Sequence, residues 1–167
     1  AGQALSPILC ADGKAYTGFW NGEAKDANFV CVDTATGKLL WSYTVKGGFY
    51  WAGAAEVGSY VVVATDDGEN GTKGTSSLLV FKKTYAENEE VKPVSSVELA
   101  GCGDARSSIT VDGSKVYFTT KGGYLCSASV NAESGAISDL KTVSFNAQST
   151  STPVVFGNYV YFGAGSG

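Results

Sequence analysis

The side chains able to do chemistry in this chain are few, and histidine is not among them. Without an imidazole, a Ser-His-Asp triad, a Cys-His dyad and histidine ligation of zinc, copper or haem are all excluded. Catalysis would have to come from carboxylates, lysine, tyrosine or a cofactor. The densest group of hard oxygen ligands is the loop DDGENG, where Asp66, Asp67, Glu69 and the amide of Asn70 are of the kind that calcium takes. The loop lacks the EF-hand spacing and its terminal bidentate glutamate, so the simpler reading is a solvated hairpin and calcium is the secondary one. A sparser polar loop with Asn21, Glu23 and Asp26 comes earlier in the chain. The two could share a partner if they fall on one face. The acidic run from Glu87 to Glu90 reads as a solvated outer hairpin whose charge discourages edge pairing. No two carboxylates have a context in which one would be buried and protonated, so glycosidase chemistry has no support.

Four cysteines, Cys10, Cys31, Cys102 and Cys126, show no CxxC spacing, which excludes a zinc ribbon and a thioredoxin-like motif. Cys10, Cys31 and Cys126 lie in apolar runs and read as small buried hydrophobes, with one or more disulfides as the alternative. The aromatic triplet Phe49-Tyr50-Trp51 and the single arginine, Arg106, offer a different kind of site. A tryptophan face beside a guanidinium is a platform for a sugar, a peptide or an aromatic ligand. The simpler alternative is that both side chains pack within the fold or lie over its rim.

Charge and composition bound the partners. There are 12 Lys+Arg against 16 Asp+Glu, a net charge of −4, which argues against nucleic acid and against a polybasic membrane patch. No apolar run approaches the ~20 residues of a spanning helix, and the first residues lack a signal-peptide pattern. With no methionine, the chain reads as processed or as a piece of something longer. An apolar share of 44% with 17% charged suits one globular domain. Abundant Val, Tyr, Phe, Thr and Trp favour β structure, and the wealth of Ser, Thr, Gly, Asn and Tyr looks extracellular.

The elements that must position these residues come from an internal repeat. A glycine turn flanked by apolar strands recurs around Gly13, Gly58, Gly113 and Gly157, with a period of about 45 residues. Two polar insertions, from Asp66 and from Thr84, lengthen the second interval. In the first period FVCVD from Phe29 and KLLWSYTV from Lys38 follow as two more strands; in the third, YLCSASV from Tyr124 and LKTVSF from Leu140 do the same. This alignment sets Phe29-Val30-Cys31 on Tyr124-Leu125-Cys126. Four short strands per period is the arithmetic of a propeller blade. Runs such as VVVA at 61–64 and KVYF at 115–118 are apolar on both faces, as inner strands between neighbouring blades should be. No stretch has a helical period, so helices should be absent or a single turn.

The predicted fold is all-β: one partial β-propeller over 1–167, built of four-stranded antiparallel blades at about 6–46, 50–100 and 105–146 with a half blade at 150–167. A Greek-key sandwich is the runner-up, disfavoured by the period. Three and a half blades do not close a ring, so open blade edges should associate with another copy. Counting back from the turn glycines puts Arg106 at the place of Trp51, at the channel mouth of neighbouring blades. Tyr50 and, in the last segment, Gln148 complete the candidate channel face.

The segment FVCVDTATGKLLW, with Asp33, Gly37 and Trp41, resembles the repeat of the pyrroloquinoline-quinone-like (PQQ-like) β-propellers. This superfamily includes quinoprotein dehydrogenases and non-enzymatic outer-membrane assembly propellers. The resemblance covers nearly the whole chain, but the motif is complete only in the first blade; in the third, Ser127 replaces the aspartate and Leu140 lies near the tryptophan position. It implies that Asp33 and Gly37 shape an outer turn and that Trp41 docks between blades. The adjacent cysteines that face the quinone in the dehydrogenases have no counterpart here, so no cofactor is expected. The resemblance therefore implies a non-enzymatic binding or scaffold module of a secreted, surface or periplasmic bacterial protein, holding a protein or glycan and neither nucleic acid nor a membrane interior. A piece of a PQQ-dependent dehydrogenase is the alternative.

Overall fold

The computed structural model describes residues 2–165, and among them no helix occurs. The first sheet joins β1 (Leu9–Ala11), β2 (Lys14–Gly18), β3 (Asp26–Asp33) and β4 (Leu39–Lys46) in chain order. The second joins β5 (Ala55–Val57), β6 (Tyr60–Ala64), β7 (Ser76–Lys82) and β8 (Ser95–Leu99). The third joins β9 (Thr110–Asp112), β10 (Lys115–Thr119), β11 (Tyr124–Val130) and β12 (Ile137–Ser144), and β13 (Val154–Phe156) pairs with β14 (Tyr159–Tyr161). Every pairing is antiparallel between chain neighbours. These are the meander blades of a propeller.

The repeat has a local cause. Each opening hairpin turns over two residues, Asp12-Gly13, Gly58-Ser59, Gly113-Ser114 and Gly157-Asn158. The four glycines have φ of +70, +57, +61 and +59°, the left-handed conformation that tight hairpins need and that a Cβ disfavours.

The second sheet is buried on both faces, and its period-2 alternation assigns each residue to one of two cores. Val61, Val63, Leu79 and Phe81 face the first sheet, where they meet Tyr16, Phe29, Cys31 and Trp41. Val62, Ala64, Leu78 and Val80 face the third sheet and meet Val116, Phe118, Cys126, Ala128 and Val130. Apolar burial at about 25 cal/mol per Å² on both faces makes this sheet the centre of the fold. β3 and β11 bury alternate residues only, because each has one such neighbour. Trp41, 5% exposed, lies in the first of these cores with ring centroids of Phe81 and Tyr85 at 5.6 and 5.5 Å, and its indole N–H donates to the Lys83 carbonyl at 3.3 Å.

The outer turns correct the blade alignment. The Asp33 carboxylate accepts from the Ala35 and Thr36 amides, and Gly37 N–H closes the turn onto the Asp33 carbonyl. In the third blade Asn131, not Ser127, takes this part: its side-chain oxygen accepts from the Glu133 and Ser134 amides while Gly135 closes onto its carbonyl. Register agrees, since Tyr16 opposes Cys31 as Val116 opposes Ala128. Cys126 therefore stands where Phe29 does, not where Cys31 does. Opposite Ala128 the pairing shifts, from Ser127 with Lys141 to Ser129 with Ser138, and the bulged residue belongs to β12. Half-buried Leu140 packs on the second core beside that bulge, at the place of Trp41.

All four cysteines are free thiols. Cys10 is exposed, against the expectation of burial: β1 is a first-blade edge, and Cys10, opposite Ala15, alternates away from the core side of Leu9 and Ala11. Cys31, Cys102 and Cys126 are buried.

Candidate functional site

Four segments converge where the chain crosses between blades. The β2–β3 loop brings Trp20 and Glu23, the β6–β7 loop brings Asp66 and Asp67, and the two crossovers bring Tyr50-Trp51 and Asp104-Ala105-Arg106. Backbone hydrogen bonds fix the crossovers: Phe49 N–H donates to the Phe19 carbonyl and Ala105 N–H to the Thr65 carbonyl, at 2.9 and 3.1 Å. This pattern makes Arg106 the equivalent of Tyr50, one residue away from the place that counting back from the turn glycines gave. The second crossover reaches its first strand one residue sooner. Gly47 lets the first crossover through, because a Cβ there would lie 2.6 Å from the Gly68 amide nitrogen.

Arg106 is the hub. Its guanidinium is 4.6 Å from the Tyr50 ring centroid, and its Nη2 reaches Asp66 at 3.1 Å, Glu23 at 3.3 Å and Asp104 at 2.5 Å. Asp66 and Asp104 are 2% and 0% exposed. Burial pushes Asp66 up to about 8, the Asp104 charge adds to this, and Arg106 opposes it. Burial likewise raises Asp104, against the amide of Asp67 and the charge of Arg106. For Arg106, desolvation is outweighed by Asp66, Asp104 and Glu23 together, so it stays charged.

Above this pair of buried acids runs a row of aromatic rings. Trp20 meets Tyr50 edge-on at 5.0 Å, and Tyr50 meets Trp51 at 4.5 Å. Trp51 is 45% exposed and has a φ of +59°, a conformation that is an outlier for a bulky residue. Of the sequence candidates, Tyr50, Trp51 and Arg106 thus lie together. Gln148 lies elsewhere, exposed, bridged to Gly165 and lining a shallow groove with Ser149, Ser151 and Gly163.

The DDGENG loop is divided in the same way. Asp66 turns in to Arg106, Glu69 turns out to pair with Lys46, and the Glu69 and Asn70 amides donate to Asp67 Oδ1. Of its four candidate ligands only Asp67 belongs to the group of converging carboxylates, and its companions are Glu23 and Asp104. Sequence reasoning missed Asp104 and Trp20. The signal for Asp104 was its place two residues before the only arginine, in a crossover otherwise short of charge.

Comparison with known proteins decides the family. The family model described as "Outer membrane protein assembly factor BamB" matches residues 9–167. The chain belongs to the BamB family of PQQ-like propellers. Among solved structures, BamB from Moraxella catarrhalis has a TM-score of 0.65 at 17% identity, covering 96% of this chain and 43% of that one. The computationally designed Ika4 protein has a TM-score of 0.59 at 16% identity, covering 98% of this chain and 93% of its own. The designed Ika8 protein has a TM-score of 0.59 at 17% identity, covering 96% and 42%. The BamB-family chain spans less than half the length of the M. catarrhalis protein. No curated protein matches it.

The quinone of the wider PQQ-like superfamily does not fit these residues. There is no vicinal cysteine pair, and Cys31, Cys102 and Cys126 are each buried in a blade core.

Proposed function

We propose that this chain is a non-enzymatic scaffold or binding module that works outside the bacterial cytoplasm, holding a protein segment or a glycan on the aromatic face of Tyr50 and Trp51. The observation that carries the reading is Trp51 itself: a large ring left 45% exposed, on a strained backbone, packed at a tilt against a tyrosine that a buried guanidinium supports. Such a face has no packing role that would account for its exposure. The family match supports the same class and the same side of the membrane, since its description is of an outer-membrane assembly factor. No helix of the described residues is long and apolar enough to cross a membrane. Gln148, before the last strand pair, lines a separate groove and is set apart from this face, while Asp33, Gly37 and Trp41 keep the blades in place around it.

The unit is one partial propeller with blades at about 6–46, 50–100, 105–146 and 150–167, of which residues 1, 166 and 167 lie outside the described ones. Its open edges associate with another copy.

Tryptophan fluorescence titration with a panel of extended aromatic peptides and of oligosaccharides tests the ligand face. Saturable quenching that Trp51→Ala abolishes is the expected result. Ligand responses unchanged by Trp51→Ala would overturn it.

A further inference from the structure

Two of the four thiols, Cys102 and Cys126, come from different blades and end in the same core. Cys102 follows β8 in the second crossover, and Cys126 is the third residue of β11. The crossover lies on the β10–β11 turn: the Lys121 amide donates to the Asp104 carbonyl at 2.8 Å, and a Cβ at Gly122 would lie 2.2 Å from the Cys102 carbonyl oxygen. Gly101 and Gly103, on either side of Cys102, have φ of +71 and +73°, which lets the chain bend tightly there. Both cysteines belong to the core between the second and third sheets, 3% and 0% exposed. In it the Cys126 thiol donates to the Cys102 sulfur, and the hydroxyl of Thr142, the residue opposite Cys126 in β12, reaches that sulfur too.

The contact marks both groups. The Cys126 thiol pulls Cys102 down to about 7, and Cys126, which gives up that proton last, is held far above its ordinary value. The other two cysteines have no part in it: Cys10 is exposed on the first sheet, and Cys31 lies in the core between the first and second sheets. The fold thus brings one pair of sulfurs together and keeps the remaining two apart from it. A bond between Cys102 and Cys126 would close a loop of about 25 residues through β9 and β10 and tie the second crossover to the third blade.

We propose that Cys102 and Cys126 are a disulfide-forming pair, joined when the chain meets the oxidising compartment. The structure holds the pair in its reduced form. The oxidant is a small-molecule or protein disulfide, and its supply rests on the reading above that the chain works outside the cytoplasm. One thiolate of the pair attacks that disulfide and joins one of its sulfurs, while the other sulfur leaves as a thiolate. The second cysteine loses its proton and attacks the mixed disulfide, expelling the remaining thiolate. The pair gives up two electrons and two protons, and the oxidant becomes two thiols. Because both sulfurs are buried in the folded chain, the exchange takes place during folding or local opening, before the third blade closes on the second.

Reduced protein equilibrated with glutathione and glutathione disulfide in sub-denaturing urea, which opens buried thiols to exchange, tests this. Free thiols are then alkylated in denaturant and the chain is digested with trypsin, which leaves the four cysteines in different peptides because a lysine or arginine lies between each and the next. The expected result is one cross-linked species joining 84–106 to 122–141, with Cys10 and Cys31 alkylated. The oxidised chain should melt about 10 °C above the same chain after reduction. In Cys126→Ala, Cys102 should be alkylated and the oxidised and reduced melts should coincide, whatever the variant's own stability. Alkylation of all four cysteines, a link through Cys10 or Cys31, or equal melting temperatures of the oxidised and reduced parent would each overturn the assignment. The buffer supplies the oxidant, so this result holds whether or not the chain works outside the cytoplasm, and the Trp51 titration holds whether or not the thiols pair.

Discussion

Asp33 and Asn131 occupy the same position in the outer turns of two different blades, and each accepts two amide hydrogen bonds of its own turn through one side-chain oxygen. The chain therefore contains its own control for what the aspartate charge adds.

Asp33→Asn should melt close to the parent and Asp33→Ala clearly lower, because asparagine keeps the acceptor and alanine does not. The Thr36 hydroxyl and the turn amides hold the Asp33 carboxyl below its ordinary value of 3.8. A depressed folded pKa stabilises fully above the unfolded value, and the gain is lost as pH falls through the folded one. The gap between parent and Asp33→Ala should narrow below about pH 3.8 and that between parent and Asp33→Asn should shift with it, read from melts at stepped pH.

Trp41→Ala should cost about 3–5 kcal/mol in urea unfolding, the range for large aromatic deletions in a core. Trp41→Phe keeps a ring against Phe81 and Tyr85 but loses the bond to the Lys83 carbonyl, and about 1–2 kcal/mol is expected. A loss below about 1 kcal/mol for the alanine variant would show that the docking role is wrong.

Arg106→Ala leaves Asp66 and Asp104 buried without their cation, and removal of one partner from a buried pair costs about 3–5 kcal/mol. Glu23→Gln, at the exposed end of the same network, should cost less than about 1 kcal/mol. Equal losses in chemical denaturation would contradict the hub geometry.

The last strand pair leaves Val154, Phe156, Tyr159 and Tyr161 at 61, 76, 69 and 55% exposed. An apolar pair of this kind is a template for another chain. Sedimentation across a concentration series should show association that Phe156→Lys with Tyr159→Lys reduces. A monomer at all concentrations would remove self-association from the reading.

The architecture was legible because it is written in short-range terms. Glycines at the two-residue turns and the doubly apolar run of β6 are local consequences of hairpin geometry and of two buried faces, whereas the run at 115–118, read the same way, leaves Tyr117 half-buried in β10. The PQQ-like family followed from Asp33, Gly37 and Trp41, which serve that same local geometry. Alignment between blades was less secure: the outer turn begins at Asp33 after Gly13 but sooner, at Asn131, after Gly113, and that difference in spacing hid Asn131 behind Ser127 and paired Cys126 with the wrong residue.

The amino-acid sequence alone determined that strands turn at Gly13, Gly58, Gly113 and Gly157 and that the sheet containing Val61 to Ala64 has a neighbour on each face. Only the tertiary structure decided which polar residues meet. Glu23, Asp67 and the Asp104–Arg106 pair come from three separate stretches of chain, and the choice of which loop turns inward depends on how neighbouring blades twist and on where glycines permit close approach. Asp66 buried beside Arg106 and Glu69 exposed beside Lys46 are three residues apart in one acidic loop. Nothing in their local sequence distinguishes them, because what separates their fates is the long-range position of the cation each one finds.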